Sequence, residues 1–115
     1  MVELSEFEVK RIEKLFGDFC DKRVPGHWRD KIRVEFRVRG DSVELFESRP
    51  LHNDPDSWIS TRIARFKKSA RNGLWNLYCA GRDAQWQRYA ASTPQRDIEA
   101  LLRIVEQDTI GAFWG

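Results

Sequence analysis

The chain predicts an α+β domain: an N-terminal helix, a five-stranded antiparallel meander sheet, then a C-terminal helix and a docked aromatic tail. Three observations carry that expectation. Apolar residues repeat at helical spacing near both ends, they alternate at strand spacing between residues 32 and 49, and a run over 59–89 breaks twice at tight-turn residues. Strands grouped between two terminal helices, with turns too short for crossovers, give one antiparallel sheet with helices packed on it.

The first helix opens at Ser5-Glu6-Phe7-Glu8, a capping box in which Ser5 accepts from the Glu8 amide and the Glu8 carboxylate reaches back to Ser5. Leu4 and Val9 stand where a hydrophobic staple would. Ile12, Leu15, Phe16, Phe19 and Cys20 then form one apolar stripe opposite Lys10, Arg11, Glu13, Lys14 and Asp18. Pro25-Gly26 cannot continue a helix, so it ends near Lys22.

Ile32, Val34, Phe36 and Val38 alternate with Arg33, Glu35, Arg37 and Arg39, a strand with one buried face. Gly40-Asp41 turns the chain, and Val43 to Arg49 returns. Arg39-Gly40-Asp41 also spells an integrin-binding tripeptide, which is read here as a hairpin corner. Phe46 falls out of phase with Val43 and Leu45, which calls for a bulge or burial on both faces. Pro50 to Ser57, rich in turn residues, reads as the longest irregular piece.

From Ile59 the central stretch begins, with Ile63 to Lys68 as strand three. Asn72-Gly73 signals a hairpin, since both residues tolerate positive φ. Leu74 to Ala80 is strand four; apolar or aromatic groups on both its faces imply cover on both sides. Gly81 to Ala84 turns again into Gln85–Ala90, strand five. Trp75 and Trp86, on adjacent strands, are expected to face each other. Thr93-Pro94 reads as a cap with proline at the first helical position, followed by the stripe Ile98, Leu101, Leu102 and Val105. Phe113 and Trp114 must dock, because an apolar tail in water is a liability.

These motifs resemble an uncharacterised bacterial family, domain of unknown function 3024. The resemblance lies in Phe7–Lys14, in Phe46-Glu47-Ser48-Arg49-Pro50 and in Asn53-Asp54-Pro55. It continues through Trp75-Asn76-Leu77-Tyr78, Arg82-Asp83 and Trp86-Gln87-Arg88-Tyr89 to the closing Gly111-Ala112-Phe113-Trp114-Gly115. It implies one domain over residues 1–115 and a bacterial source, and brings no catalytic residues with it.

At 115 residues, a second core would leave neither half enough buried surface. An acidic, polar N-terminus and the lack of a long apolar run make the cytoplasm the expected compartment, with no membrane partner. Cys20 and Cys79 are expected as free, buried thiols.

Charge is the sharpest functional signal. Residues 57–96 hold eight Lys or Arg against Asp83 alone, a net +7, while the rest has twelve basic and seventeen acidic groups, a net −5. Such a stretch concentrates anions. Arg65, Lys67, Lys68, Arg71 and Arg88 are the candidate phosphate contacts, with Tyr78, Tyr89 or Trp86 as stacking groups and Arg33, Arg37 and Arg39 extending the face. The ordinary alternative is a solvated sheet face whose Lys and Arg discourage aggregation. A tryptophan-lined pocket is a further candidate. For catalysis the only candidate is His52 with Asp54 or Asp56; a histidine–carboxylate neighbour is a usable acid–base pair. The two histidines and two cysteines fit no metal spacing, and no glycine-rich phosphate loop or nucleophile elbow occurs. The residues therefore point to a small binding or interaction module without cofactor or catalysis. Nucleic acid or another polyanion is the sharper alternative, an enzyme using the His52 loop the second, and a homodimer through the sheet face is an open partner.

Overall fold

The computed structural model describes residues 4–28, 30–81, 85–109 and 111–114. The expected turn at 82–84, Ile110 and Gly115 lie outside them. The order of elements is α1 (Glu6–Arg23), a short 3-10 turn (Gly26–Trp28), β1 (Arg33–Arg39), β2 (Ser42–Leu51), β3 (Asp54–Lys68), β4 (Trp75–Ala80), β5 (Trp86–Arg88) and α2 (Ile98–Gln107). The strands form one antiparallel meander in the order β1-β2-β3-β4-β5. The predicted α+β architecture is the one observed.

Both helices lie on one face of the sheet. Val34, Val43, Leu45, Ile63, Ala64, Phe66, Trp75 and Leu77 are buried there against Ile12, Phe16 and Phe19 of α1 and Ile98, Leu101, Leu102 and Val105 of α2. Phe16 is the pivot: fully buried, it meets Phe66 edge-on at 5.1 Å and Phe36 at 5.8 Å. Edge-to-face contact suits the ring quadrupoles, so this one side chain ties α1 to β1 and β3.

The N-terminal cap is half of the expected box. The Glu8 amide donates to Ser5 Oγ at 3.1 Å, but of the Glu8 carboxylate oxygens one accepts a long 3.4 Å bond from the Ser5 hydroxyl and the other accepts from Lys68 Nζ at 2.7 Å. A charged partner on the neighbouring element is a stronger draw than a cap amide that water can reach. That hydrogen bond from Lys68 holds the Glu8 carboxyl below its ordinary range.

Three expectations are corrected. Pro50–Ser57 is not a loop: β2 and β3 run on through it and reverse at His52-Asn53, with irregular pairing at Leu51 and Asp54. Beyond Ser48, the last β2 residue that β1 pairs, the two strands continue as a projecting arm. Thr93-Pro94 does not open α2. Gln95 instead exchanges both backbone hydrogen bonds with Trp75, at 2.7 and 3.0 Å, because β5 pairs only with 78–80 and would leave Trp75 with bare ladder groups. The helix starts at Ile98 with Asp97 as its cap, which accepts from the Glu99 amide at 3.0 Å. Lastly, β4 is covered on one side only. Trp75 and Leu77 are buried under the helices, whereas Trp86 pairs with Ala80 on the opposite face, so the two tryptophans do not meet.

Phe46 faces outward by ordinary alternation from Leu45, and the bulge nearby lies in the partner strand. Leu45 pairs with Ala64 and Phe46 with Arg62, leaving Ile63 as the extra residue. Ile63 and Ala64 are consecutive and both buried, and the shift lets Phe46 and Arg62 share the outer face.

The aromatic tail docks as expected. Asp108, in the left-handed conformation at the end of α2, accepts from the amides of Phe113 at 3.1 Å and Trp114 at 2.8 Å. Trp114 Nε1 donates to the Val105 carbonyl at 2.9 Å, its ring stacks on Phe19, and the Arg23 guanidinium lies 4.0 Å over it. Phe113 is buried against Tyr89.

Candidate nucleic-acid interface

Neither helix covers the second face of the sheet. Strand pairing assigns its residues in rows, since directly opposed residues share a face. One row crosses all five strands: Arg37, Glu44, Arg65, Tyr78 and Arg88. On one side of it runs Arg39, Ser42, Lys67 and Asn76; on the other run Glu35, Phe46 and Arg62, with Trp86 opposite Ala80. Arg33 aligns with Ser48 and Ser60, and Trp58 follows at the base of the arm. This open face therefore holds seven cations against Glu35 and Glu44, with four aromatic rings among them. At a strand spacing of about 4.8 Å, the central row is roughly 19 Å long. The acidic Asp54 and Asp56 sit farther out on the arm, beyond Trp58.

Local contacts show how the face is held. Ser48 and Ser60 share a 2.8 Å hydrogen bond across β2 and β3. Arg65 Nη2 donates to Ser42 Oγ at 3.3 Å, while its Nε is buried and has no acceptor. Three of the rings carry an arginine: Arg33 is 4.1 Å over Trp58, Arg37 5.3 Å over Phe46 and Arg62 5.6 Å over Trp86. Among the described residues, Arg39, Lys67 and Arg88 form no ion pair.

Of the residues nominated from sequence, the structure brings together Arg65, Lys67, Tyr78, Trp86 and Arg88. Lys68 and Tyr89 point the other way, Lys68 into its bridge with Glu8 and Tyr89 into the core at 8% exposure. Arg71 stands exposed in the Ser69–Leu74 turn, off the end of the sheet. The extensions Arg33, Arg37 and Arg39 do share the face. Sequence reasoning missed Trp58 and Phe46 as members of it. The strand character of 50–58 was the missing signal for Trp58, while plain alternation from the buried Val43 and Leu45 would have found Phe46. Strict alternation from Ala64 and Phe66 would have excluded Lys68.

His52 sits in an exposed two-residue turn at the tip of the arm. Depressions of about 390, 370 and 200 Å³ lie between α1 and α2, beside Trp28 and Trp114, and along α1 and β1, and His52 lines none of them. Both cysteines are free and half-buried rather than fully buried. Burial, with Asp21 and Glu35 nearby, pushes the Cys20 thiol up to about 12. No metal-ligating group of His, Cys, Asp and Glu occurs among the described residues, and no described helix is long and apolar enough to cross a membrane.

No curated protein and no solved structure matches this chain. The family model of DUF3024, a domain of unknown function, does match over residues 4–115, and the chain belongs to that family.

Proposed function

We propose that this protein binds single-stranded nucleic acid on the open face of its sheet. The observation that carries the reading is the convergence of Arg33, Arg37, Arg39, Arg62, Arg65, Lys67 and Arg88 with four aromatic rings on a surface neither helix covers. Cations attract the phosphate backbone from any direction, whereas flat rings on a sheet suit unpaired bases, which a duplex keeps inside its stack. The same charge argues against a homodimer through this face, because two copies would set seven cations against seven. Catalysis by the His52 turn has little support, since that turn is exposed and encloses nothing.

The test titrates an oligonucleotide of about ten nucleotides, long enough to cross the face, against matched duplex DNA and RNA. Tryptophan fluorescence and mobility report binding at about 50 and about 200 mM salt. Single-strand affinity slopes by about −0.7 in log units per engaged phosphate, so seven contacts would weaken binding about a thousandfold over that fourfold range. Saturable, salt-sensitive binding that prefers single strands supports the reading. No binding at low salt, or a preference for duplex, overturns it.

A further inference from the structure

The four rings of the open face are not equivalent. Trp58, Phe46 and Trp86 each lie under an arginine from another strand. Tyr78 does not: among the described residues no cation stacks over its ring and no second ring contacts it, and it alone of the four stands in the row that crosses all five strands. Its two neighbours across the sheet are Arg65 on β3 and Arg88 on β5. An aromatic platform with a guanidinium on either side has the layout of one nucleotide unit, a flat base between two phosphates. Arg65 brings a second argument. Its Nε has no acceptor among the described residues, and its side-chain bond to Ser42 Oγ is long at 3.3 Å. A buried donor without a partner costs free energy, and a phosphate oxygen beside Tyr78 would supply the acceptor once the guanidinium tilts outward.

Resting on the reading above, we infer that Tyr78 is the base-stacking station of this protein, with Arg65 and Arg88 clamping the phosphates on either side of the stacked base. The arginine-covered rings serve differently. Their faces are already satisfied by cation–π contact, so a base must displace a guanidinium to reach them, and they act as positioning groups for Arg33, Arg37 and Arg62. The ligand class is a single-stranded polynucleotide read through one unstacked base, with no preference fixed by base-edge hydrogen bonds.

Paired ligands separate this from simple charge attraction: a short oligonucleotide, and the same strand with every base removed. Stacking of one base changes affinity by about 5- to 150-fold. Tyr78→Ala is expected to lose that factor for the intact strand and nothing for the abasic one, while Tyr78→Phe retains it. Trp58→Ala and Trp86→Ala, which release Arg33 and Arg62 from their rings, are expected to shift the intact and abasic strands alike. Arg65→Gln and Arg88→Gln weaken both ligands and flatten the salt slope by about 0.7 each. Thermal melting of Tyr78→Phe and Tyr78→Ala checks that both fold. If the wild type binds both strands and Tyr78→Ala alters neither, or alters both equally, the stacking station is wrong while polyanion binding stands. If the wild type binds neither strand, the functional reading itself fails.

Discussion

Lys67 and Lys68 are neighbours in the chain, alike in chemistry, and on opposite sides of the sheet. Neutralising each in turn therefore tests which face is functional. Lys67 lies on the open face beside Ser42 and Asn76 and forms no ion pair among the described residues. Lys68 lies over the core side and donates to Glu8 at 2.7 Å, the two side chains keeping 20% and 34% of their surface. Lys67→Gln should remove one phosphate contact, making the salt slope shallower by about 0.7, and should leave the melting temperature within about 2 °C. Lys68→Gln should do the reverse. A charge-assisted hydrogen bond contributes about 1.5–3 kcal/mol, which partial exposure to screening solvent reduces to about 1–2 kcal/mol. For a domain of this size that is a loss of roughly 4–8 °C in melting temperature, with the salt slope unchanged. Calorimetry and an oligonucleotide titration at several salt concentrations read both quantities on the same samples. If Lys68→Gln flattens the salt slope and Lys67→Gln does not, the face assignment is wrong. If both flatten it alike, binding follows diffuse charge and the open face has no special role.

Three further outcomes follow from particular contacts. Glu8→Gln should be less stable than wild type at neutral pH; because the folded-state pKa of Glu8 is lowered, that contribution exists above the unfolded pKa and fades as pH falls through the folded one. Melting curves at about pH 7 and pH 3 should show the gap closing in acid, and an equal gap at both would assign the loss to packing instead of charge. Asp108→Ala should release the aromatic tail by deleting both amide acceptors, costing about 2–3 kcal/mol and shifting tryptophan emission to the red; an unshifted spectrum would mean that Trp114 docks through its ring contacts alone. Cys20, with its thiol pushed up to about 12, should resist a thiolate-selective reagent at about pH 8 until the chain is denatured, and prompt labelling of the native protein at Cys20 would contradict its burial.

Much of the fold was readable without coordinates, and for local reasons. The α1 stripe, the Ser5 cap, the Gly40 and Gly73 turns and the alternation in β1 depend on residues within one turn or one pleat of each other. Each such signal keeps its meaning wherever the segment packs. The errors arose where a distant partner outbid the local preference. Glu8 turned one carboxylate oxygen to Lys68, sixty residues away, and Thr93-Pro94 stayed outside α2 because Gln95 completes the ladder of Trp75. Turn residues at 50–57 entered a long hairpin because β2 and β3 could pair through them.

The candidate site divides in the same way. Sequence alone determined that residues 57–96 are basic and aromatic, since composition needs no geometry. Only the tertiary structure decided which of those side chains meet. Strand order brings Arg37 of β1 into one row with Arg88 of β5, and the Ile63 bulge turns Arg62 outward beside Phe46. Placement of both helices on one face leaves the other open. A strand carries its side chains alternately up and down, so which residues form a surface depends on register between strands and on what covers each face, and both are set by partners far along the chain.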